Sequence, residues 1–260
     1  MSDSPTVLSV EEGPRPWVGR HRQVPPGSEP GSLAITMPLY DEEGNVGPVV
    51  QDLLATFRTA GVDLTLTLVD NGSHDGTRAE VEGLVAANPE VQAVYLDKNQ
   101  GYGGGILAGM AQAPESAKVL GYMWGDGQVA AEDVIRVYRR LVAEGADIAK
   151  ARRVQRRDGW QRTLVTRAYN TVTLWWFHIK STDTNGCPKL FTRDAWQALG
   201  PRSEDWFLDP EIMIGVADRG MKVAEVDVVS KARDFGTSKV GAGTVLEFVV
   251  NLSRARLRGR

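Results

Sequence analysis

The chain has 260 residues, of which 42% are hydrophobic and 24% charged, and its formal net charge is −3. This composition is typical of a globular protein and lacks the basic excess of nucleic-acid-binding chains, so no nucleic-acid partner is expected. A single cysteine, Cys187, excludes an internal disulfide, and no apolar run reaches the roughly 20 residues of a membrane helix. We therefore expect a cytoplasmic location, with peripheral contact at the inner membrane face as the closest approach to lipid.

The chain order of the predicted elements indicates an α/β fold. Residues 1–30 contain six prolines and predict a disordered N-terminal arm. From residue 31, helical patterns separate five predicted strands, with the sequences LAITMPLY, LTLTLVD, VQAVYLD, KVLGYMWGD and DIAKARR. Such alternation predicts a mostly parallel sheet, and strands that are apolar on both faces require helices on both sides of it.

Beyond residue 155 the alternation is lost, and this divides the predicted domain. We expect one domain over residues 31–245, with a donor-nucleotide half at 31–155 and a more irregular acceptor half at 156–245. The strand VAEVDVV is predicted within the second half. A basic C-terminal helix is expected over residues 246–260.

Three acidic clusters each follow a predicted strand: PLYDEEGN, VDNGSHDGT and WGDGQ. In a parallel sheet the carboxyl ends of the strands share one edge, and ligands bind there. One such cluster is typical of a turn. Three at the same edge indicate a site for a divalent metal that carries a diphosphate, because hard cations combine carboxylates with substrate phosphates.

In their order and spacing, these clusters and the segment KNQGYGGGILAG resemble the family 2 glycosyltransferases of the GT-A fold. The segments DTNGCPKLFTRDAW, FLDPEI and RDFGTSK are similar to the dolichyl-phosphate-mannose-synthase-like branch of that family. The resemblance covers about residues 33–240. It implies an inverting transfer of sugar from a GDP- or UDP-linked nucleotide-diphosphate sugar to a polyprenyl phosphate, with Mg²⁺ or Mn²⁺ as cofactor.

The resemblance also implies a role for individual positions. The donor would be bound by Pro38, Tyr40, Glu42, Asp70, Asn71 and Asp126. The metal ligands would be Asp126 and Gln128. The acceptor phosphate would be bound by Arg152, Arg162, Thr166 and Ser238. The catalytic residues would be Asp126, Arg233 and Lys239, the last two on a loop that closes over the diphosphate.

One position departs from the family pattern. Trp124 stands where the first aspartate of the Asp-x-Asp metal signature is expected, so one carboxylate ligand is missing. Its side chain could pack into the sheet, stack on the donor, or mark a weaker hold on the metal. A non-catalytic protein that binds sugar nucleotides is therefore an alternative.

The acceptor leaves a second alternative open. A phosphate acceptor is already ionised, whereas a hydroxyl of a soluble small molecule needs a general base, for which Glu204 or Asp205 is available. Asp209 and Glu211 have a structural interpretation, because Asp-Pro-Glu is typical of a helix N-cap, N1 and an early acid.

The glycine-rich segment suggests a rival of another class. Gly103-x-Gly105-x-x-Ala108, with Asp126 at 21 positions beyond Gly105, resembles the dinucleotide fingerprint of an NAD-dependent oxidoreductase. That fingerprint opens the first strand–helix unit of its fold, whereas two such units precede it here. The dinucleotide hypothesis also leaves VDNGSHDGT and RDFGTSK without a role.

Overall fold

The computed structural model describes residues 32–155 and 183–229. Their elements in chain order are β1 (Leu33–Leu39), α1 (Val46–Ala60), β2 (Leu64–Asn71), α2 (Thr77–Ala87), β3 (Val91–Leu96), α3 (Gly101–Met110), β4 (Val119–Tyr122), α4 (Ala131–Glu144), β5 (Ile148–Gln155), β6 (Lys189–Thr192), α5 (Arg193–Leu199), α6 (Leu208–Arg219) and β7 (Val223–Val229). The predicted N-terminal arm and C-terminal helix lie outside these residues. Within them, no helix combines the length and apolar character needed to cross a membrane.

The strands of the described residues form one sheet of seven, in the order β3-β2-β1-β4-β6-β5-β7. Neighbouring strands are parallel except at β6, which runs antiparallel to both β4 and β5. The predicted α/β class and mostly parallel sheet are confirmed. The sequence did not predict β6, which has four residues and carries a lysine at its first position.

The core lies on both faces of the sheet, as the apolar strands predict. On β1, Leu33 and Ile35 point to one face and Ala34 and Thr36 to the other, and all four are buried. Helix α1 packs against α4, and α3 packs on β1 and β2. The first five strands therefore form a rigid scaffold whose loops meet at one edge.

Helix α3 is enclosed on two sides, and its glycines make this possible. A Cβ atom on Gly109 would lie 2.3 Å from Thr36 Cγ2 in the sheet. On the other side, a Cβ on Gly103 would lie 2.1 Å from the carbonyl oxygen of Ser203, and the Gly104 amide donates to Glu204 O at 2.9 Å. The amino end of α3 is thus covered by the chain at 203–205. A pyrophosphate would need that space, so the packing of α3 argues against the dinucleotide hypothesis.

We predict that Gly103→Ala destabilises the protein by about 1–3 kcal/mol, because the new methyl group overlaps a backbone oxygen that cannot rotate away. Gly83→Ala is the matched control, since Gly83 is also helical and a Cβ there meets nothing within 4 Å. It should leave stability unchanged or raise it by up to about 1 kcal/mol. Urea unfolding measures both, and equal stabilities for the two variants would contradict the close packing of α3.

Candidate functional site

The topology brings the predicted acidic clusters to one edge of the sheet. Strands β1, β2 and β4 are adjacent and parallel, so the loops after Leu39, Asn71 and Tyr122 leave from the same edge. Strand β6 is antiparallel and begins there, with Lys189 paired to Tyr122. The segment 183–188 before β6 therefore reaches the same edge, which defines the candidate site.

The loops after β1 and β2 are tied together by reciprocal hydrogen bonds. The Asp41 carboxylate accepts from the His74 amide at 2.8 Å, and the Asp41 amide donates to Ser73 Oγ at 3.1 Å. The Gly76 amide donates to Glu43 Oε2 at 3.0 Å. Asp41 has φ of 50°, a backbone strain that its surroundings hold in place. These bonds fix the shape of the loop pair before any ligand binds.

Tyr40 and Glu42, two predicted donor-binding residues, lie within this loop pair. The Tyr40 hydroxyl is 3.5 Å from His74 Nδ1, and the two rings meet edge-on. The Glu42 amide donates to Thr77 Oγ1 at 2.8 Å, and its carboxylate accepts from Asn45 Nδ2 at 2.9 Å. Both side chains are therefore oriented by neighbours on the β2 side or the start of α1.

Asp70 is a buried carboxylate at the end of β2, with 1% of its surface exposed. It accepts from the Ser73 amide at 2.9 Å and pairs with Arg78 Nε at 3.1 Å. The Arg78 guanidinium in turn lies 4.9 Å from the centre of the Tyr95 ring. Arg78 was not expected at the site, because an arginine in the first turn of a helix is usually solvated.

Asn71 and Pro38 face helix α3. The Asn71 amide group donates to Gly101 O at 2.9 Å and accepts from the Gln100 amide at 2.9 Å. Pro38 lies beside Gly105, where an added Cβ would be 3.2 Å away. In this structure the Asn71 side chain holds the loop before α3, and its donor-binding role stays a prediction.

Asp126 lies in a turn that needs glycine on both sides. It is 8% exposed, and its carboxylate accepts from the Gln128 amide at 3.1 Å. Gly127 has φ of 68°, where other residues are strained, and a Cβ on Gly125 would lie 2.5 Å from Leu39 Cδ2. The glycines thus press the turn against β1 and leave one carboxylate at the edge of the sheet.

The donor set tests whether a divalent metal fits this turn. Among the described residues, no three His, Cys, Asp or Glu side chains are grouped so as to hold a metal ion. Mg²⁺ does not require such a cage, because it is often bound by one or two carboxylates together with substrate phosphates and water. Asp126 therefore fits a metal that arrives with a diphosphate, and the role of Gln128 as a second ligand stays a prediction.

The Trp124 side chain packs into the protein at the position of the missing acid. Its indole Nε1 donates to the Tyr102 hydroxyl at 3.1 Å. The Arg153 guanidinium carbon lies 5.2 Å from the centre of the ring, within the range of a cation–π contact. Trp124, which lies two residues before Asp126, therefore contacts both Tyr102 of α3 and Arg153 near the end of β5.

The Tyr102 hydroxyl belongs to a buried network around Asp209. Tyr102 and Tyr122 donate to the two oxygens of this carboxylate, at 3.1 and 2.6 Å, and the fully buried Lys189 ammonium pairs with it. Burial, together with the Asp209 charge, raises the pKa of both tyrosines well above its usual value, so they remain proton donors. The N-cap interpretation of Asp209 was wrong: helix α6 begins at Leu208, and the Asp209 side chain turns inward.

Two consecutive arginines of β5 lie in different surroundings. Arg152, predicted to bind the acceptor, is 38% exposed and pairs with Asp227 of β7, with Nη2 to Oδ2 at 2.9 Å. Arg153 is nearly buried and donates twice to Asp183, at 2.8 and 2.7 Å, beside Trp124. Arg153 therefore reaches the candidate site, and sequence alone could not tell which of the two would.

Of the two carboxylates considered as a general base, Asp205 accepts a hydrogen bond from the backbone, whereas the Glu204 side chain is exposed. Asp205 accepts from the Phe207 amide at 2.8 Å, within the turn that precedes α6. Glu211 accepts from the Ser203 amide at 2.8 Å, so its structural interpretation holds. Glu204 has an exposed side chain, and its contact with α3 is made through its carbonyl oxygen.

The other predicted residues lie outside the described part of the chain, and their roles stay predictions. They are Arg162, Thr166, Arg233, Ser238 and Lys239. Just after the undescribed residues 156–182, Thr184 Oγ1 and Asn185 Oδ1 are buried and have no hydrogen-bond partner among the described residues. Polar atoms in this state need a bound ligand or another segment of the chain to satisfy them.

The fold is that of solved nucleotide-sugar enzymes. A glucosyl-3-phosphoglycerate synthase from Mycobacterium tuberculosis, in complex with Mn²⁺ and UDP-glucose, superposes with a TM-score of 0.67. The match covers 86% of this chain and 79% of that one, at 19% sequence identity. The expected GT-A fold is confirmed.

The chain belongs to glycosyl transferase family 2, whose sequence model matches residues 34–207. An undecaprenyl-phosphate 4-deoxy-4-formamido-L-arabinose transferase from Pectobacterium carotovorum is 29% identical over 211 residues, 80% of this chain and 62% of that protein. The polyprenol monophosphomannose synthase of Mycolicibacterium smegmatis is 24% identical over 236 residues, 87% of each chain. These relatives are consistent with the dolichyl-phosphate-mannose-synthase-like branch, although the chain spans less than two thirds of the Pectobacterium protein.

Cys187 gives a pH-dependent prediction for the interior of the site. Burial raises the pKa of its thiol from the ordinary 9.0 to about 12. The native thiol should therefore react very slowly with a disulfide reagent at pH 8 and rapidly in urea. Above pH 9 the unfolded chain loses this proton and the folded chain keeps it, so stability should fall between pH 9 and 12.

The Cys187→Ala variant is the control for this pH dependence, because other groups also titrate in that range. The wild type should lose more stability than the variant between pH 9 and pH 11, as measured by urea unfolding. Parallel losses in the two proteins, or fast labelling of the native thiol, would contradict a buried protonated Cys187.

Proposed function

We propose that this protein is a metal-dependent, inverting glycosyltransferase that moves a sugar from a nucleotide-diphosphate sugar to a polyprenyl phosphate. One observation carries the proposal. Asp126 sits nearly buried in a glycine-flanked turn after β4, at the same edge as the buried Asp70, in a chain of family 2. This is where a parallel sheet binds its ligands.

The names of the relatives support a polyprenyl phosphate as acceptor. One relative is named as an undecaprenyl-phosphate transferase and another as a polyprenol monophosphomannose synthase. A polyprenyl phosphate lies in a membrane, so the protein would meet the membrane at its surface. The family likeness supports the sugar-transfer chemistry, and GDP- and UDP-sugars are both candidates for the donor.

The residues of the site suit such a reaction. Asp126 and Gln128 would hold Mg²⁺ or Mn²⁺, which would neutralise the charge that develops on the leaving diphosphate. The fixed Asp70 carboxylate can accept hydrogen bonds from the nucleotide. Arg153, oriented by Asp183, presents a guanidinium to a phosphate at the edge of the sheet, and guanidinium groups match phosphate geometry.

In the proposed step, an oxygen of the acceptor phosphate forms a bond to the anomeric carbon as the bond to the diphosphate breaks on the opposite side. The configuration inverts, and no proton has to be removed from the acceptor. Asp209 and Glu211 are held by structural partners, which agrees with a step that needs no base. A hydroxyl acceptor would instead require a base such as the exposed Glu204.

The decisive experiment is a mass-spectrometric screen of GDP- and UDP-sugars against a polyprenyl phosphate and a small hydroxylated acceptor, with and without Mn²⁺. We expect a glycosyl-phosphate product that disappears on metal removal. Asp126→Asn should lower the rate by about 10²–10³-fold, because the charge of the metal ligand is lost. Asp218→Asn, an exposed site on α6, is the control and should retain full activity. Transfer undiminished in Asp126→Asn would refute the assignment.

The two arginines of β5 provide a matched pair for the acceptor. The resemblance assigned Arg152, but Arg152 lies against Asp227 of β7, whereas Arg153 lies against Trp124 at the candidate site, and this position leads us to predict Arg153 instead. Arg153→Lys keeps the charge and loses the two-pronged geometry, so KM for the polyprenyl phosphate should rise about tenfold while KM for the donor stays within about twofold. Arg152→Lys should change neither, and the reverse pattern would restore the original assignment.

A further inference from the structure

Trp124, which replaces the first acid of the metal signature, makes contacts that orient the neighbouring turn. We propose that Trp124 is a positioning residue, which the Tyr102 hydroxyl clamps so that the Asp126 turn is held ready for the metal. This inference rests on the proposed metal role of Asp126. It concerns how the chain compensates for the missing carboxylate.

The turn itself has little intrinsic rigidity. Gly125 and Gly127 flank Asp126, and glycine has more backbone freedom than any other residue. Trp124 precedes this turn by one residue, and its partly buried ring packs against the core. Its indole hydrogen bond and its contact with Arg153 fix it from two directions. Because these two contacts fix Trp124, they also restrict the backbone position from which the turn 125–127 starts.

Tyr102 is itself rigidly held, which makes it an effective anchor. Its ring stacks on Trp206, with the centroids 4.6 Å apart and the planes 8° from parallel. Its hydroxyl donates to Asp209, whose charge is balanced by Lys189. A continuous chain of contacts thus runs from a buried ion pair to the indole of Trp124.

The consequence for the metal follows from the number of ligands. When two carboxylates bind a metal, a small displacement of one is partly compensated by the other. Here Asp126 is the one carboxylate of the signature, so metal affinity depends more strongly on where its oxygens lie. Residues that orient a ligand without touching the metal typically change metal affinity by about 10–100-fold when lost. A clamp two residues away should have a smaller effect.

The test is a double-mutant cycle that uses Mn²⁺ affinity as its readout. Protein-bound Mn²⁺ is measured by water-proton relaxation, with UDP and separately with GDP present. Tyr102→Phe and Trp124→Phe each remove the same hydrogen bond and keep an aromatic ring, and each should weaken binding about 3–10-fold, the size expected for one hydrogen bond. The double variant should bind no more weakly than the weaker single variant, because the two residues act through one bond.

Tyr122→Phe is the matched control, since Tyr122 donates to the same Asp209 carboxylate and has no hydrogen bond to Trp124. It should lower the melting temperature and leave the Mn²⁺ affinity within about twofold of the wild type. Should Tyr102→Phe not fold, Trp124→Phe tests the same bond from its other end.

The outcomes separate this inference from the proposed function. A wild type that binds no Mn²⁺ with either nucleotide would overturn both, because Asp126 would not be a metal ligand. A wild type that binds Mn²⁺, with unchanged affinity in folded Tyr102→Phe or with additive losses in the double variant, would overturn the clamp alone. Equal losses in Tyr122→Phe would also overturn it, since they would indicate a general loss of stability.

Discussion

The buried carboxylate of Asp209 is the contact on which the arrangement of the site depends. It joins α6 to β6 through Lys189, to β4 through Tyr122 and to α3 through Tyr102. Removing one partner of a buried ion pair typically costs about 3–5 kcal/mol, because the remaining charge has no water to solvate it. These four elements therefore meet at one buried carboxylate, and Tyr102 extends the network to Trp124. A second buried lysine, Lys150, pairs with Glu225 at 3.1 Å on the neighbouring strands.

Close packing of α3 is the second condition for this arrangement. Tyr102 can reach Asp209 and Trp124 because the glycines around it let α3 lie against the sheet on one side and the chain at 203–205 on the other. A glycine-rich segment after a strand is typical of phosphate binding, but here the space beside Gly103 is filled by protein. The same glycines that suggested a cofactor site serve instead to bring one tyrosine hydroxyl between an indole and a carboxylate.

Much of this could be predicted from the sequence, and the failures have physical causes. Strands β1, β2 and β4 were predictable because their runs are mostly apolar and each ends in a polar turn, and β3 and β5 because they continue the same alternation with helices. Strand β6 was not, since four residues beginning with a lysine carry no strand signal, and the partner that neutralises Lys189 is 20 residues away. Asp209 fits a helix-cap pattern locally, and only the tertiary structure provides the cation and two hydroxyls that draw it inward. Arg152 and Arg153 differ only in which face of β5 they occupy, and that depends on the pairing of β5 with β6 and β7.

The charge balance around Trp124 bears on the replacement of the first aspartate of the metal signature by a neutral residue. Arg153, the cation that contacts the indole, is already paired with the Asp183 carboxylate. A further aspartate at position 124 would add negative charge beside Asp126, and a metal would be needed to balance the two. With tryptophan there, the site is less negative before the metal binds. Such a site attracts a metal ion less strongly and repels the diphosphate of the donor less strongly. Metal and nucleotide should therefore bind as one unit, with the phosphates supplying the ligands that the protein lacks.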